Sequence, residues 1–146
     1  MLSEDKKWYR VNLRLMGDNL PIEEIESRLG LEASFINKKG EHVHNNPRYH
    51  KFQTNIWSTK YLVNSDVPFE EQITNLLNNL ESRADELKSI LAFPDVTGEL
   101  FLGFSSGNGQ GGTTFSPKLL QRIVGFGLAL RLDLYPPDID EKEETQ

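Results

Sequence analysis

The sequence predicts a two-layer α+β sandwich: a largely antiparallel or mixed four-stranded sheet with helices on one face, in a ferredoxin-like chain order β-α-β-α-β-α-β. Three observations carry that prediction. Four segments alternate apolar and polar residues, and the stretches between them repeat apolar residues at helical spacing. Each strand candidate also offers a single apolar face, whereas strands covered by helices on both sides read as nearly continuous apolar runs.

The first strand is WYRVNLRLM, residues 8–16, with Tyr9, Val11, Leu13 and Leu15 on the core side and Arg10, Asn12 and Arg14 on the other. Residues 21–29 then place Ile22, Ile25 and Leu29 at helical spacing, with Pro21 opening the first turn and Gly30 stopping the helix. A long loop, 31–54, follows, with room for an additional short strand or hairpin. Alternation returns in NIWSTKYLV, residues 55–63, where Trp57, Tyr61 and Val63 read as the core side. SDVPFEEQ supplies a start signal for a helix whose apolar positions run Phe69, Ile73, Leu76, Leu77, Leu80, Ala84, Leu87 and Leu91 without a break. FPDVTG ends it. ELFLGF, residues 99–104, is a strand with Leu100, Leu102 and Phe104 inward. Ser116 and Pro117 cap and open the helix PKLLQRIVGF, and Gly127 closes it. In the last strand, LALRLDLY, Leu128, Leu130, Leu132 and Leu134 face one way and Arg131, Asp133 and Tyr135 the other.

The chain of 146 residues suits one domain, read here as 1–137, with 138–146 as an acidic disordered tail. There is no cysteine, so disulfides, thiolate-bound zinc and thiol nucleophiles are excluded together, which fits a reducing compartment. No stretch approaches the roughly 20 apolar residues that a bilayer requires, and the first residues show no leader pattern; a cytoplasmic protein with no membrane partner is expected. A formal net charge of −6 opposes nonspecific binding to nucleic acid.

Four constellations bear on chemistry. GFSSGNGQGG, residues 103–112, contains a G-x-S-x-G pattern around Ser105, but a nucleophile elbow needs a helix directly after the serine and a histidine later in the chain. Here all three histidines precede Ser105. The same stretch lacks the G-K-[ST] ending of a phosphate-binding loop, which leaves a mobile connection between strand and helix. Residues 38–51 gather His42, His44 and His50; in a strand, His42 and His44 would share a face and offer nitrogen ligands to a divalent metal with His50 as a third. That loop is the basis of the alternative reading, a small metal-dependent enzyme or metal-binding protein. The acids Glu23, Glu24, Glu26, Glu70 and Glu71 sit on solvated helix faces or at a helix start, where the dipole favours them. Finally, the uncovered sheet face mixes charge and aromatic surface: Arg10, Arg14, Lys60, Phe101, Arg131, Asp133 and Tyr135 are the candidate binding residues, with Asn12, Ser58 and Glu99 beside them. RNA-recognition domains also present an open four-stranded sheet, but their aromatic motif is not reproduced in GELFLGF, so nucleic acid is not expected as a partner.

From about residue 8 to 136 the layout resembles a bacterial family, domain of unknown function 4279. The resemblance is carried by the short helix ending in L-G (PIEEIESRLG), the segment Lys38-Lys39-Gly40, the strand around Trp57, the long helix, and the closing LALRLDLY with Asp133. It implies a bacterial cytoplasmic α+β domain and brings no catalytic residues or cofactor with it. The leading expectation is a noncatalytic protein-binding module, immunity-like or homodimeric, working through the open sheet face.

Overall fold

The computed structural model describes residues 6–136; the acidic tail expected at 138–146 lies outside that range. The elements run β1 (Lys7–Met16), α1 (Ile25–Leu29, entered through a 3-10 turn at Ile22–Glu24), β2 (Ala33–Asn37), β3 (Ile56–Thr59), α2 (Phe69–Glu81), α3 (Ala84–Leu91), β4 (Thr97–Ser106), α4 (Pro117–Gly125) and β5 (Ala129–Leu134). They build one sheet in the order β2-β3-β1-β4-β5. β1 is central and antiparallel to both β3 and β4, β2 is antiparallel to β3, and β4 and β5 are parallel.

The α+β class holds, with three corrections. The sheet has five strands, so the four-stranded ferredoxin-like order is not the one adopted. The extra strand, β2, lies in the long loop. Its sequence ASFIN shows no alternation in burial because it is an edge with a register shift between Ala33 and Phe35, leaving adjacent Phe35 and Ile36 both exposed.

The long helix is two helices. Apolar periodicity continues through the break, but the chain leaves helical geometry at Arg83 (φ −117°, ψ 18°), which turns α3 onto α1. Arg28 pairs with Glu86 there at 2.7 Å, and the Arg83 guanidinium donates to the Arg28 carbonyl at 3.3 Å. That interaction satisfies a carbonyl left open at the end of α1.

β3 stops at Thr59 instead of continuing to Val63. The Leu13 N–H, which a longer strand would pair through backbone, donates to the Thr59 hydroxyl at 2.9 Å. Past that point the chain peels away, and Tyr61 is exposed instead of joining the core.

All four helices contribute to one core against one face of the sheet: Ile25 and Leu29 from α1, Phe69, Ile73, Leu76, Leu77 and Leu80 from α2, Leu87 and Ile90 from α3, and Leu119 and Ile123 from α4. They meet Val11, Leu13, Leu15, Trp57, Leu100 and Leu102 of the strands. α4 begins as its sequence predicts, with the Ser116 hydroxyl accepting from the Leu119 N–H at 3.1 Å and Pro117 next to it. Gly17, at the turn after β1, has φ +149°, and a Cβ there would lie 2.2 Å from the Asp95 carbonyl oxygen, so the close crossing of these turns requires glycine. No helix of the described residues is long and apolar enough to cross a membrane.

Candidate functional site

The sheet register fixes what stands on the bare face. Trp8 and Ser105 form one row across β1 and β4, extended by Tyr135 just past β5, and Arg10, Gly103 and Asp133 form the next. Asn12, Phe101 and Arg131 form a third row, followed by Ser58, Arg14 and Glu99. The sequence-predicted Arg10, Arg14, Phe101, Arg131, Asp133 and Tyr135 therefore do share one surface. Lys60 does not join them: it lies beyond the end of β3 and its ammonium pairs with Glu32 at 2.6 Å.

This face differs from a uniformly solvated one. Asn12, Ser58 and Glu99 are buried on it, with the Asn12 amide hydrogen-bonded to the Ser58 hydroxyl. Over these polar groups lies a ladder of arginines and rings. The Arg14 guanidinium carbon sits 4.0 Å from the centre of the Phe101 ring and 5.8 Å from that of Phe35. The Arg10 guanidinium sits 4.3 Å over Trp8 and 5.9 Å from Tyr61. Trp8 in turn packs on Tyr135, with ring centres 5.1 Å apart. Gly103 is the floor under that last pair: a Cβ there would come within 3.3 Å of the Tyr135 ring and 3.4 Å of Trp8.

Charge on the face is only partly balanced. Arg131 pairs with the nearly buried Glu99 carboxylate at 2.8 Å, and hydrogen bonding toward Asp133, with burial adding to it, raises the pKa of the Tyr135 phenol above its ordinary value. Among the described residues neither Arg10 nor Arg14 has a carboxylate within ion-pair distance. The Arg14 Nε, moreover, is buried without a hydrogen-bond acceptor. An orphaned buried donor of this kind costs about 1–3 kcal/mol, more when charged, unless something accepts from it. Phe101 covers one side of the Arg14 guanidinium, and it is the terminal N–H groups, which are not buried with Nε, that match the two oxygens of a carboxylate or phosphate.

Sequence reasoning missed three members of the ladder: Trp8, Tyr61 and Phe35. Trp8 was legible, because the same alternation that places Arg10 and Arg14 outward places Trp8 with them. Tyr61 arrives through the early end of β3, and Phe35 through an edge strand without a pattern.

The other constellations fall elsewhere. Ser105 lies inside β4, its hydroxyl donating to the Pro136 carbonyl at 3.2 Å, with no helix before Pro117. His42 precedes a single 3-10 turn, Val43–Asn45, in which His44 has φ +57°. The two rings are therefore not arranged by a strand. The His42 Nδ1 lies 2.8 Å from the Tyr49 carbonyl, and the His44 ring packs edge-on against the Tyr49 ring at 5.6 Å. His42 and His44 do line a cavity of about 490 Å³ with Phe35, Ile36 and Phe52. Among the described residues, however, no three histidines or acids gather as a set able to hold a metal ion.

With the geometry in hand, the comparison with known families is direct: the family model described as "Domain of unknown function (DUF4279)" matches residues 6–137. The chain belongs to this family. No curated protein and no solved structure matches the chain. In this DUF4279 member the matched span covers every strand and helix described above, and so includes both the arginine–aromatic ladder and the histidine loop.

Proposed function

We propose that this DUF4279 domain is a noncatalytic protein-binding module that holds a carboxylate-bearing, acidic segment of its partner on the bare sheet face. The observation that carries the reading is the Arg14 guanidinium: stacked against Phe101, half-buried and, among the described residues, without a carboxylate and with its Nε lacking an acceptor. Among the described residues of this face Glu99 is neutralised by Arg131, so Arg10 and Arg14 stand against Asp133 and leave a local positive excess on an acidic protein. Arginine and aromatic residues are the types that dominate binding energy at protein interfaces. An acceptor placed on Arg14 makes a charge-assisted hydrogen bond where the free protein has none.

A short glutamate-rich peptide, titrated into isotopically labelled protein, tests this directly. The Arg10 and Arg14 Nε–H resonances are expected to shift and saturate, and Arg14→Met to abolish the response while leaving the fold intact. Unmoved arginine resonances at millimolar peptide would overturn the reading. Tighter binding of a single-stranded RNA of equal charge would replace it with a nucleic-acid interface.

A further inference from the structure

The two edges of the sheet are finished differently. β2 is five residues long, carries a register shift, and runs into Lys38 and Lys39, which are the usual means by which an edge strand is kept from pairing with another chain. β5 is one residue longer and has no register shift. It is a regular strand in register with β4 over its whole length, and Leu130, Leu132 and Leu134 stand exposed along it. The Tyr135 N–H donates to the Phe104 carbonyl at 2.8 Å, so the odd-numbered residues of β5 turn their backbone groups toward β4. By strand alternation, Leu130, Leu132 and Leu134 turn their N–H and C=O groups to the open edge.

The residues of β5 are self-complementary about Leu132. When the strand is laid antiparallel against a copy of itself with the twofold axis through Leu132, Leu130 faces the copy's Leu134 and Arg131 faces the copy's Asp133. The leucine pairs are then the hydrogen-bonded ones, as their outward backbone groups require, and the Arg–Asp pairs are the closer, non-hydrogen-bonded ones. A one-residue slip would remove that agreement. The ladder also has natural ends: the Leu128 N–H is already used by the Ile123 carbonyl at 3.2 Å, and Pro136 has no N–H to give.

The helix layer continues the same flank. On α4, Arg122 reaches Asn78 and Glu81 of α2, and the exposed Leu120 and Val124 lie around the helix on the side away from α2. An apolar cavity of about 350 Å³ lined by Phe69, Phe104, Phe115, Leu132 and Leu134 opens beside that row. Charge, hydrogen-bonding parity and apolar surface thus agree on one occupant. The geometry points to a second copy of this chain, docked along β5 across a twofold axis at Leu132 to give one continuous ten-stranded sheet. This dimer does not rest on the acidic-peptide reading: it uses the edge of the sheet, not Arg10 or Arg14, although Arg131 would then lie between Glu99 of its own chain and the copy's Asp133.

Sedimentation equilibrium of the full chain over about 1 μM to 1 mM tests the dimer. The expected result is association to twice the chain mass, abolished by Leu132→Lys, which sets two ammonium groups against each other on the axis. Charge exchange tests the register. Arg131→Glu alone places two acids opposite each other, Asp133→Lys alone places two bases, and each is expected to stay monomeric; an equimolar mixture of the two variants restores opposite charges at both positions and is expected to dimerise. Circular dichroism checks that each variant is folded. A monomeric wild type across the range overturns the proposal, as does a dimer indifferent to Leu132→Lys. A mixture no more associated than its components overturns the register and with it the stated axis.

Discussion

Val11, Leu13 and Leu15 of β1 and Leu130, Leu132 and Leu134 of β5 point the same way from one sheet, yet the first three are 4%, 0% and 0% exposed and the last three 39%, 57% and 67%. Their sequence patterns are equally regular. The difference is one of position: β1 has a strand on each side and α2 packed across it, whereas β5 has β4 on one side and, among the described residues, no strand on the other. Alternation therefore tells which side of a strand is apolar, and the neighbours decide whether that side is dry. An apolar row left wet at an unpaired edge is surface awaiting a partner, while the same row at the centre holds the fold together.

That contrast is broken or sharpened by measurement. The largest expected effect is at the centre: Leu13→Ala should cost about 2–5 kcal/mol in urea unfolding, by lost transfer energy and the cavity left behind. At the edge, Leu132→Ala should stay within about 0.5 kcal/mol when measured on the monomer. Equal losses at the two positions would show that β5 is as enclosed as β1.

The two faces of β4 give the next comparison. A Cβ on Gly98, on the helix side, would lie 2.8 Å from Leu128 and 3.0 Å from Leu15 and Leu91, so Gly98→Ala should overpack the core and cost roughly 1–3 kcal/mol. Gly103→Ala, on the bare face, meets the movable rings of Tyr135 and Trp8 at 3.3 and 3.4 Å and the Arg10 Cβ at an ordinary 3.7 Å, and a smaller loss of unfolding free energy is expected. At the centre of the bare face, Arg14→Met removes a buried donor that has no acceptor along with its stacking on Phe101; unfolding free energy should be unchanged or higher by about 1 kcal/mol. A clear loss there would mean that Arg14 holds the fold instead of waiting for a ligand.

The smallest effect is at high pH. Asp133 raises the pKa of the Tyr135 phenol, so the folded state favours the protonated ring. Its contribution to stability is complete below the titration of an unfolded tyrosine and is lost as pH rises through the folded value. Ultraviolet titration should show one of the four tyrosines ionising late, and Asp133→Asn should bring it back toward the others. No late component in the wild type would remove Asp133 from the Tyr135 environment.

Parts of the candidate site were legible and parts were not, for reasons visible in particular residues. Arg10, Arg14, Phe101, Arg131, Asp133 and Tyr135 follow from period-two alternation, which is a property of the backbone and does not depend on what surrounds the strand. Lys60 and Tyr61 were misplaced because β3 ends at Thr59, where the Leu13 N–H donates to the Thr59 hydroxyl instead of to strand backbone. No local pattern announces such a bond. Phe35 was hidden in a strand that exists because β3 offers it an edge, and the break at Arg83 was hidden because apolar spacing runs on through it.

The sequence by itself determined the α+β class, the apolar side of each long strand, the cap of α4 and the absence of cysteine chemistry, since these rest on dihedral preference and on spacing along the chain. Only the tertiary structure decided the number and order of the strands, the kink between α2 and α3, and which apolar row is left uncovered. It also brought Arg10 and Arg14 between rings from β1, β2, β4 and the segment after β3. Those outcomes depend on residues far apart in the chain meeting across the sheet, and pairing of that kind has no signature within any one segment.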